Sequence, residues 1–167
     1  MKLPGPMDST AGYIILGIVL AFAINQGIGL LLSTDMPIVA VESNSMVPTF
    51  YRGDILLLHG LPAEDIAVGD IIVFSPVIGR SDMVPIVHRV IEKNPDGTFQ
   101  TRGDANPGQL DFEKHIYHSQ IHGKVFLILP YLGWVKIGIT EYILPNIIPI
   151  ALVILLAYLA FLILRKI

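Results

Sequence analysis

Two segments with the same order of residue types decide the fold: GDILLL at residues 53–58 and GDIIVF at residues 69–74. In each, a Gly-Asp pair that favours a turn is followed by four apolar residues. Apolar runs of this length, bounded by turn residues, are typical of buried strands rather than of helices. The two segments therefore predict two short strands, each of which begins directly after a tight turn.

Four further runs extend this pattern outward along the chain. They are the apolar or alternating segments at residues 37–41, 84–91, 98–101 and 124–129. The turn sequence NPDG at residues 94–97 separates two of them. No strong helical period stands out between residues 33 and 141, so we predict a mainly β domain over this part of the chain.

Uncharged apolar runs at residues 13–32 and 143–164 flank this domain. As helices, both would cover about 30 Å, which is the thickness of a bilayer core. A cleaved signal peptide is the alternative for the first run, but the run is long and its basic start is weak. A buried core helix is the alternative for the second run, but nothing elsewhere is large enough to bury it. Pro145 and Pro149 predict a kink near its start.

The predicted domain organisation follows from these runs. Residues 1–32 form an N-terminal tail and a first transmembrane helix, and residues 33–141 form the β domain between the spans. Residues 142–167 form a second transmembrane helix with a short basic tail. We therefore expect a β domain that is carried between two membrane-spanning helices.

The placement of charges predicts how the chain lies in the membrane. Of the 14 acidic residues, all but Asp8 lie between the two spans, whereas Lys2, Arg165 and Lys166 lie at the ends. By the positive-inside tendency, both termini are expected in the cytoplasm and the β domain on the outer side of the cell membrane. The net charge of -3 argues against nucleic acid as a partner. The absence of cysteine excludes a thiol nucleophile and a disulfide.

The segment SNSMVPT at residues 43–49 is a candidate nucleophile segment. A serine at a strand-to-turn junction can present its Oγ and its backbone N–H on one side, as acyl transfer requires. His88, within an apolar run, is a candidate general base because its unperturbed pKa is near 6.5. From the residues alone, an ordinary hydroxyl-rich turn and a structural histidine remain equally acceptable interpretations.

Two carboxylates are candidates to orient the imidazole of His88. Asp104 lies in TRGDANP at residues 101–107, and Asp111 follows it. Either one could stabilise an imidazolium, and either could instead serve a turn. A metal site formed by the nearby histidines is a weaker alternative, because their spacing follows no clear helical period. These are His115, His118 and His122. We predict neither a metal nor another cofactor.

Together these segments resemble the type I signal peptidases, specifically the serine–histidine branch found in archaea and in the catalytic subunit of the endoplasmic-reticulum complex. SNSMVPT with the following Gly-Asp is similar to the nucleophile box, and GDIIVF at residues 69–74 to the second box. VHRV at residues 87–90 corresponds to the box in which bacterial relatives carry a catalytic lysine. TRGDANP resembles the carboxylate box, and GKV at 123–125 with PYLG at 130–133 resembles the closing segment. The resemblance covers most of residues 36–134.

This resemblance implies a membrane-anchored serine endopeptidase that cleaves N-terminal signal peptides from exported preproteins after small residues. It implies that Ser45 attacks the scissile carbonyl and that His88 accepts the proton. The N–H of Ser45 and the hydroxyl of Ser43 would form the oxyanion hole. The signal peptide would add as an extended strand beside residues 36–42 and 83–88.

The resemblance also bears on the carboxylates and on the partners. Asp111 matches the family's histidine-orienting aspartate best, and Asp104 would support the site. Ala105 and the spacing to Asp111 depart from the family pattern, so the choice between the two stays open. We expect one of them within hydrogen-bond reach of Nδ1 of His88. The implied partners are signal peptides, the lipid bilayer and further membrane subunits.

Two other functions are compatible with this sequence. One is a self-cleaving regulator on the same β fold, a class that typically uses lysine as base and acts in the cytoplasm. The other is a non-catalytic membrane-anchored module that binds exported proteins.

Overall fold

The computed structural model of the chain describes residues 10–77, 79 and 83–165. Within them, a six-stranded antiparallel sheet lies in sequence between two long apolar helices. The predicted fold class is therefore confirmed. Lys2 and Lys166, which contributed to the predicted orientation, lie outside the described residues.

Each of the six predicted runs overlaps one strand. The strands are β1 (Ile38–Ala40), β2 (Ile55–His59), β3 (Ile71–Phe74), β4 (Ile86–Lys93), β5 (Phe99–Arg102) and β6 (Ile121–Leu129). Their order in the sheet is β1-β2-β6-β3-β4-β5, and all neighbours are antiparallel. The last strand thus inserts between β2 and β3 and joins the two halves of the sheet.

The two Gly-Asp pairs form the same turn. Gly53 has a φ of 96° and Gly69 a φ of 99°, a region that L side chains rarely adopt. Asp54 and Asp70 each accept a hydrogen bond from the backbone N–H three residues earlier, at 2.9 Å in both turns. The turns therefore fix where β2 and β3 begin.

Two clusters of buried apolar side chains form the core. The first consists of Val41, Met46, Phe50, Leu56, Leu58 and Val73. The second consists of Ile66, Ile72, Phe74, Val90, Phe99 and Ile116. Burying one large apolar side chain contributes roughly 1.5–3 kcal/mol. Because Met46 lies in the turn that carries Ser45 and Phe50 directly follows that turn, the core itself anchors it.

The N-terminal helix (Thr10–Leu31) and the C-terminal helix (Trp134–Leu164) are each long and apolar enough to cross a membrane. The C-terminal helix begins before the apolar run at residues 143–164, and its first turns carry Lys136 and Glu141, which form ion pairs with the β domain. These turns are the part of the fold that the sequence pattern did not indicate.

The C-terminal helix is irregular where its two prolines predict a kink. A proline lacks the N–H for an intrahelical bond, and its ring collides with the carbonyl four residues earlier. The helix accommodates Pro145 with a π turn followed by a 3-10 turn. These turns are Gly138–Ile143 and Leu144–Asn146.

A hydrogen-bonded chain of three side chains joins the end of the N-terminal helix to the sheet. Nε2 of His122 lies 2.8 Å from Oγ of Ser75, and its Nδ1 lies 2.9 Å from both carboxylate oxygens of Asp35. Thr34 Oγ1 also donates to the backbone carbonyl of His122 at 2.6 Å. These contacts fix the segment after the helix against β6 and the end of β3.

Candidate active site

A cavity of about 430 Å³ lies between β1 and the start of β4. Residues 39–43 line it on one side and residues 84–88 on the other, and four further residues complete it: Ser45, Asn106, Leu110 and Lys136. The predicted nucleophile, the predicted base and Ser43 therefore border one space. A larger hollow of about 700 Å³ beside the end of the N-terminal helix contains none of these residues.

Ser45 lies in the turn that follows β1. Its Oγ is 3.2 Å from Oγ of Ser43, and its backbone carbonyl accepts a hydrogen bond from the N–H of Ala105 at 2.8 Å. Its own N–H makes no hydrogen bond within the described part of the chain. This N–H and the hydroxyl of Ser43 are thus two donors beside the Oγ of Ser45.

Asp104 ties this turn to β4. Its carboxylate accepts hydrogen bonds from Nε and Nη2 of Arg89 at 2.8 and 2.6 Å, and from Oγ1 of Thr49 at 2.6 Å. The hydrogen bonds from Arg89 hold the pKa of Asp104 below its ordinary value. Asp104 therefore supports the segment that carries Ser45, and it makes no hydrogen bond to His88.

His88 is held by a buried carboxylate. The imidazole lies in β4, and its Nδ1 hydrogen-bonds Oε1 of Glu113, whose side chain is fully buried. Oγ1 of Thr101 donates to the same oxygen at 3.2 Å, and the N–H of Leu110 donates to Oε2 at 2.8 Å. This network fixes the ring, while Nε2 makes no hydrogen bond to any residue that the structure describes.

The carbonyl oxygen of Ser45 and Nε2 of His88 both lie beside Gly103. A methyl group added to Gly103 would lie 2.7 Å from the carbonyl oxygen of Ser45 and 2.8 Å from Nε2 of His88. Both atoms therefore border the same small space, which only a glycine leaves open. Among the described residues, Oγ of Ser45 bonds Ser43 rather than His88. Catalytic hydrogen bonds are often long or unformed in ligand-free sites.

The carboxylate beside His88 corrects the prediction from the sequence. The side chain of Asp111 is 99% exposed and pairs with Lys114 at 2.8 Å, which lowers the pKa of Asp111. Asp104 accepts hydrogen bonds from Arg89 and Thr49. Neither predicted carboxylate therefore reaches Nδ1 of His88. Glu113 does, because the short 3-10 turn it shares with Asp111 points Glu113 inward and Asp111 outward. The signal in the sequence was a second acidic residue in the same turn.

The three histidines that raised the metal alternative have separate partners. Nε2 of His118 lies 2.8 Å from the carbonyl oxygen of Leu61, Nδ1 of His115 lies 3.8 Å from Asp96, and His122 contacts Asp35. In residues 10–77, 79 and 83–165 there is no group of three His, Cys, Asp or Glu side chains that could hold a metal ion.

Lys136 is the residue of the C-terminal helix that lines the cavity. Its Nζ donates a hydrogen bond to Oε1 of Glu42 at 2.8 Å. The side chain is therefore engaged with Glu42 rather than with Ser45. This arrangement favours His88 over a lysine as the base of the site.

No family model matches the chain, but its sequence is similar to those of curated proteins. It is 33% identical over 152 residues to the signal peptidase complex catalytic subunit sec11 of Neurospora crassa, which covers 84% of this chain and 86% of that protein. It is 38% identical over 135 residues to SEC11C of Homo sapiens, covering 73% and 67%. It is 41% identical over 130 residues to SEC11 of Scheffersomyces stipitis, covering 72% and 76%. The chain thus belongs to the SEC11 family of signal peptidase catalytic subunits and is a serine endopeptidase.

Proposed function

We propose that this chain cleaves signal peptides from preproteins after small residues, with Ser45 as nucleophile and His88 as general base. The observation that carries the proposal is the single cavity that Ser43, Ser45 and His88 line, with Glu113 buried behind the imidazole. The names of the relatives support the reaction.

In this mechanism His88 Nε2 takes the proton of Ser45 Oγ as that oxygen attacks the scissile carbonyl carbon. For this transfer the Oγ of Ser45 has to turn from the hydroxyl of Ser43 toward Nε2 of His88. Glu113 stabilises the imidazolium through Nδ1 and fixes the ring orientation. The imidazolium then protonates the leaving amine, and a water molecule deprotonated by the same histidine hydrolyses the acyl-enzyme.

The developing oxyanion would be held by the N–H of Ser45 and the hydroxyl of Ser43. Both donors lie beside Oγ of Ser45, and the N–H has no other partner in the described chain. Removal of one such donor in other enzymes reduces the rate by about 10²–10³.

The substrate would bind as an added strand. β1 pairs with β2 alone in the described sheet, and residues 86–88 pair with β3 alone because pairing with β5 begins at Arg89. Two main-chain edges therefore flank the cavity, and an extended peptide can hydrogen-bond to either one. The lining beside these edges is mostly apolar, as small apolar side chains require.

The proposal includes a membrane location. The two long apolar helices would span the cell membrane, with both termini in the cytoplasm and residues 33–141 on the outer side. Anchoring confines enzyme and preprotein to one surface and so raises their effective concentration. Because the relatives are named as subunits of a complex, further membrane subunits are proposed partners.

The test uses the full-length chain in lipid vesicles and a preprotein with alanine directly before the cut. Ser45→Ala and His88→Ala are expected to lower cleavage by at least about 10³-fold. The matched controls Ser119→Ala and His59→Ala change exposed residues outside the cavity and should cleave at the wild-type rate. Wild-type cleavage by Ser45→Ala would exclude Ser45 as the nucleophile. Efficient cleavage after a tryptophan would contradict the specificity for small residues.

A further inference from the structure

The C-terminal helix begins beside the segment that carries Ser45. Residues 42–53 are termed the nucleophile loop. Backbone hydrogen bonds close its base, since the N–H of Gly53 donates to the carbonyl of Val41 and the N–H of Val41 donates to that of Asp54, both at 2.9 Å. The first turns of the C-terminal helix contact both ends of this loop.

At the far end of the loop, the indole of Trp134 packs directly against Gly53. A Cβ on Gly53 would lie 2.1 Å from Nε1 of the indole, so a side chain and this ring cannot occupy the position together. The N–H of Gly133 donates to the carbonyl of Gly53 at 2.8 Å. The start of the helix and the end of the loop are therefore in direct contact through both backbone and side chain.

Arg52 extends this contact toward Ser45. Its guanidinium carbon lies 5.5 Å from the centre of the Trp134 ring, and its Nη2 forms an ion pair with Glu141 two turns along the helix. The backbone N–H of Arg52 donates to Oδ1 of Asn44 at 2.9 Å. Asn44 directly precedes Ser45, so a continuous series of contacts runs from the helix to the nucleophile.

The near end of the loop is held by a second ion pair. Lys136 donates to Glu42 at 2.8 Å, and Ile137 on the same helix is only 1% exposed. Residues 134, 137 and 141 follow helical spacing, so one face of the helix points at the β domain.

From these contacts we propose that residues 134–141 of the C-terminal helix position the nucleophile loop, with Trp134 and Glu141 as positioning residues. This inference rests on the proposed function, because it concerns the placement of Ser45. Neither side chain lines the cavity, so both act through Arg52 and Gly53. Since the helix continues as the predicted second span, the orientation of the span and that of the nucleophile are linked.

The physical consequence is a selective loss of kcat. A displacement of about 1 Å in a reacting group can lower the rate about 10²-fold. Substrate binding along β1 and the start of β4 does not involve Trp134 or Glu141. Breaking their contacts should therefore lower kcat by about tenfold to a hundredfold and leave KM within about twofold.

The experiment measures kcat and KM for preprotein cleavage by the full-length chain in vesicles. Its variants are Trp134→Ala, the conservative Trp134→Phe, Glu141→Gln and the double charge reversal Arg52→Glu with Glu141→Arg. Thr140→Val is the matched control, because Thr140 adjoins Glu141 and, within the described residues, its hydroxyl bonds the carbonyl of Lys136 alone. Circular dichroism on each variant reports folding, and Glu141→Gln decides the outcome if Trp134→Ala does not fold.

We expect Glu141→Gln and Trp134→Ala to lose kcat, and we expect Trp134→Phe and the double charge reversal to recover most of it. The inference is overturned if both single variants keep the wild-type kcat, if KM rises as much as kcat falls, or if Thr140→Val loses as much as Glu141→Gln. Ser45→Ala is measured in parallel. An inactive Ser45→Ala beside fully active Glu141→Gln and Trp134→Ala would reject the positioning role alone, whereas an active Ser45→Ala would reject the proposed function.

Discussion

Glu113 reaches Nδ1 of His88 from inside the β domain, whereas Asp111 of the same turn lies in solvent. We therefore expect Glu113→Gln to lower kcat by about 10³–10⁴, because the imidazolium loses its negative partner and the ring its fixed orientation. Asp111→Asn should keep kcat within about twofold, since it removes only an exposed contact to Lys114. Steady-state cleavage of a preprotein by both variants checks this, and equal losses in the two would contradict the assignment.

Ser43 is expected to act through its hydroxyl. Ser43→Ala should lower kcat by about 10²–10³, because one of the two oxyanion donors is lost. Ser43→Thr keeps a hydroxyl at the same position and should retain much of the activity. The same cleavage assay measures both, and the exposed Ser119→Ala serves as control. A fully active Ser43→Ala would remove this residue from the site.

Gly103 has no side chain, which leaves open the space between the carbonyl oxygen of Ser45 and Nε2 of His88. Gly103→Ala should lower kcat by about 10² or more, because the added methyl group would meet the carbonyl of Ser45 and Nε2 of His88 at under 3 Å. Gly108→Ala is the matched control in the following loop, since a Cβ there would meet nothing within 4 Å. The cleavage rates of Gly103→Ala and Gly108→Ala are compared, and thermal unfolding confirms that both variants are folded. Equal activity would show that the space is not needed.

Asp104 should make stability depend on pH. Its pKa is lower in the folded protein than in the unfolded chain, where it is about 3.9. Its bonds to Arg89 and Thr49 therefore stabilise the fold fully above the unfolded pKa, and this stabilisation is lost as the pH falls through the folded pKa. Asp104→Asn should lower the free energy of unfolding by about 1 kcal/mol at pH 7, and the difference should shrink below about pH 4.

Thermal unfolding by circular dichroism at several pH values measures this difference between Asp104→Asn and the wild type. Asp111→Asn is the control, because that carboxylate is almost fully exposed and its removal should change the midpoint little at any pH. A difference for Asp104→Asn that stays constant down to pH 3 would contradict the role of its ionised form.

The strands were predictable from the sequence because local residues determine them. The Gly-Asp turns supply a positive φ and a carboxylate acceptor, and the apolar runs that follow contribute Leu56, Leu58, Ile72 and Phe74 to the core. The turn around Ser45 was recognisable for a similar reason, since it lies between β1 and a Gly-Asp turn. In each case the deciding residues are neighbours in the chain.

The parts that were missed depend on contacts between distant residues. Whether Asp111 or Glu113 faces His88 is decided by how one short turn packs on β4 and β5, and both residues are acidic. The helical start at Trp134 is short and contains a lysine, a glycine and a glutamate, so its few apolar residues do not reveal a helical period in the sequence. Its contacts with Arg52 and Gly53 make it helical against the β domain.

The chain of Ser75, His122 and Asp35 has the hydrogen-bond order of a catalytic triad, although it lies outside the cavity. The N–H of Ser75 already donates to the carbonyl of Gln120, and the next residue is a proline without an N–H. Neither position therefore has a free main-chain N–H that could bind an oxyanion. Ser75 has a histidine and a carboxylate beside it like a nucleophile, but these two positions offer no donor to stabilise a tetrahedral adduct. A covalent serine-directed phosphonate should consequently modify the peptide that contains residue 45 and leave the peptide that contains residue 75 unmodified.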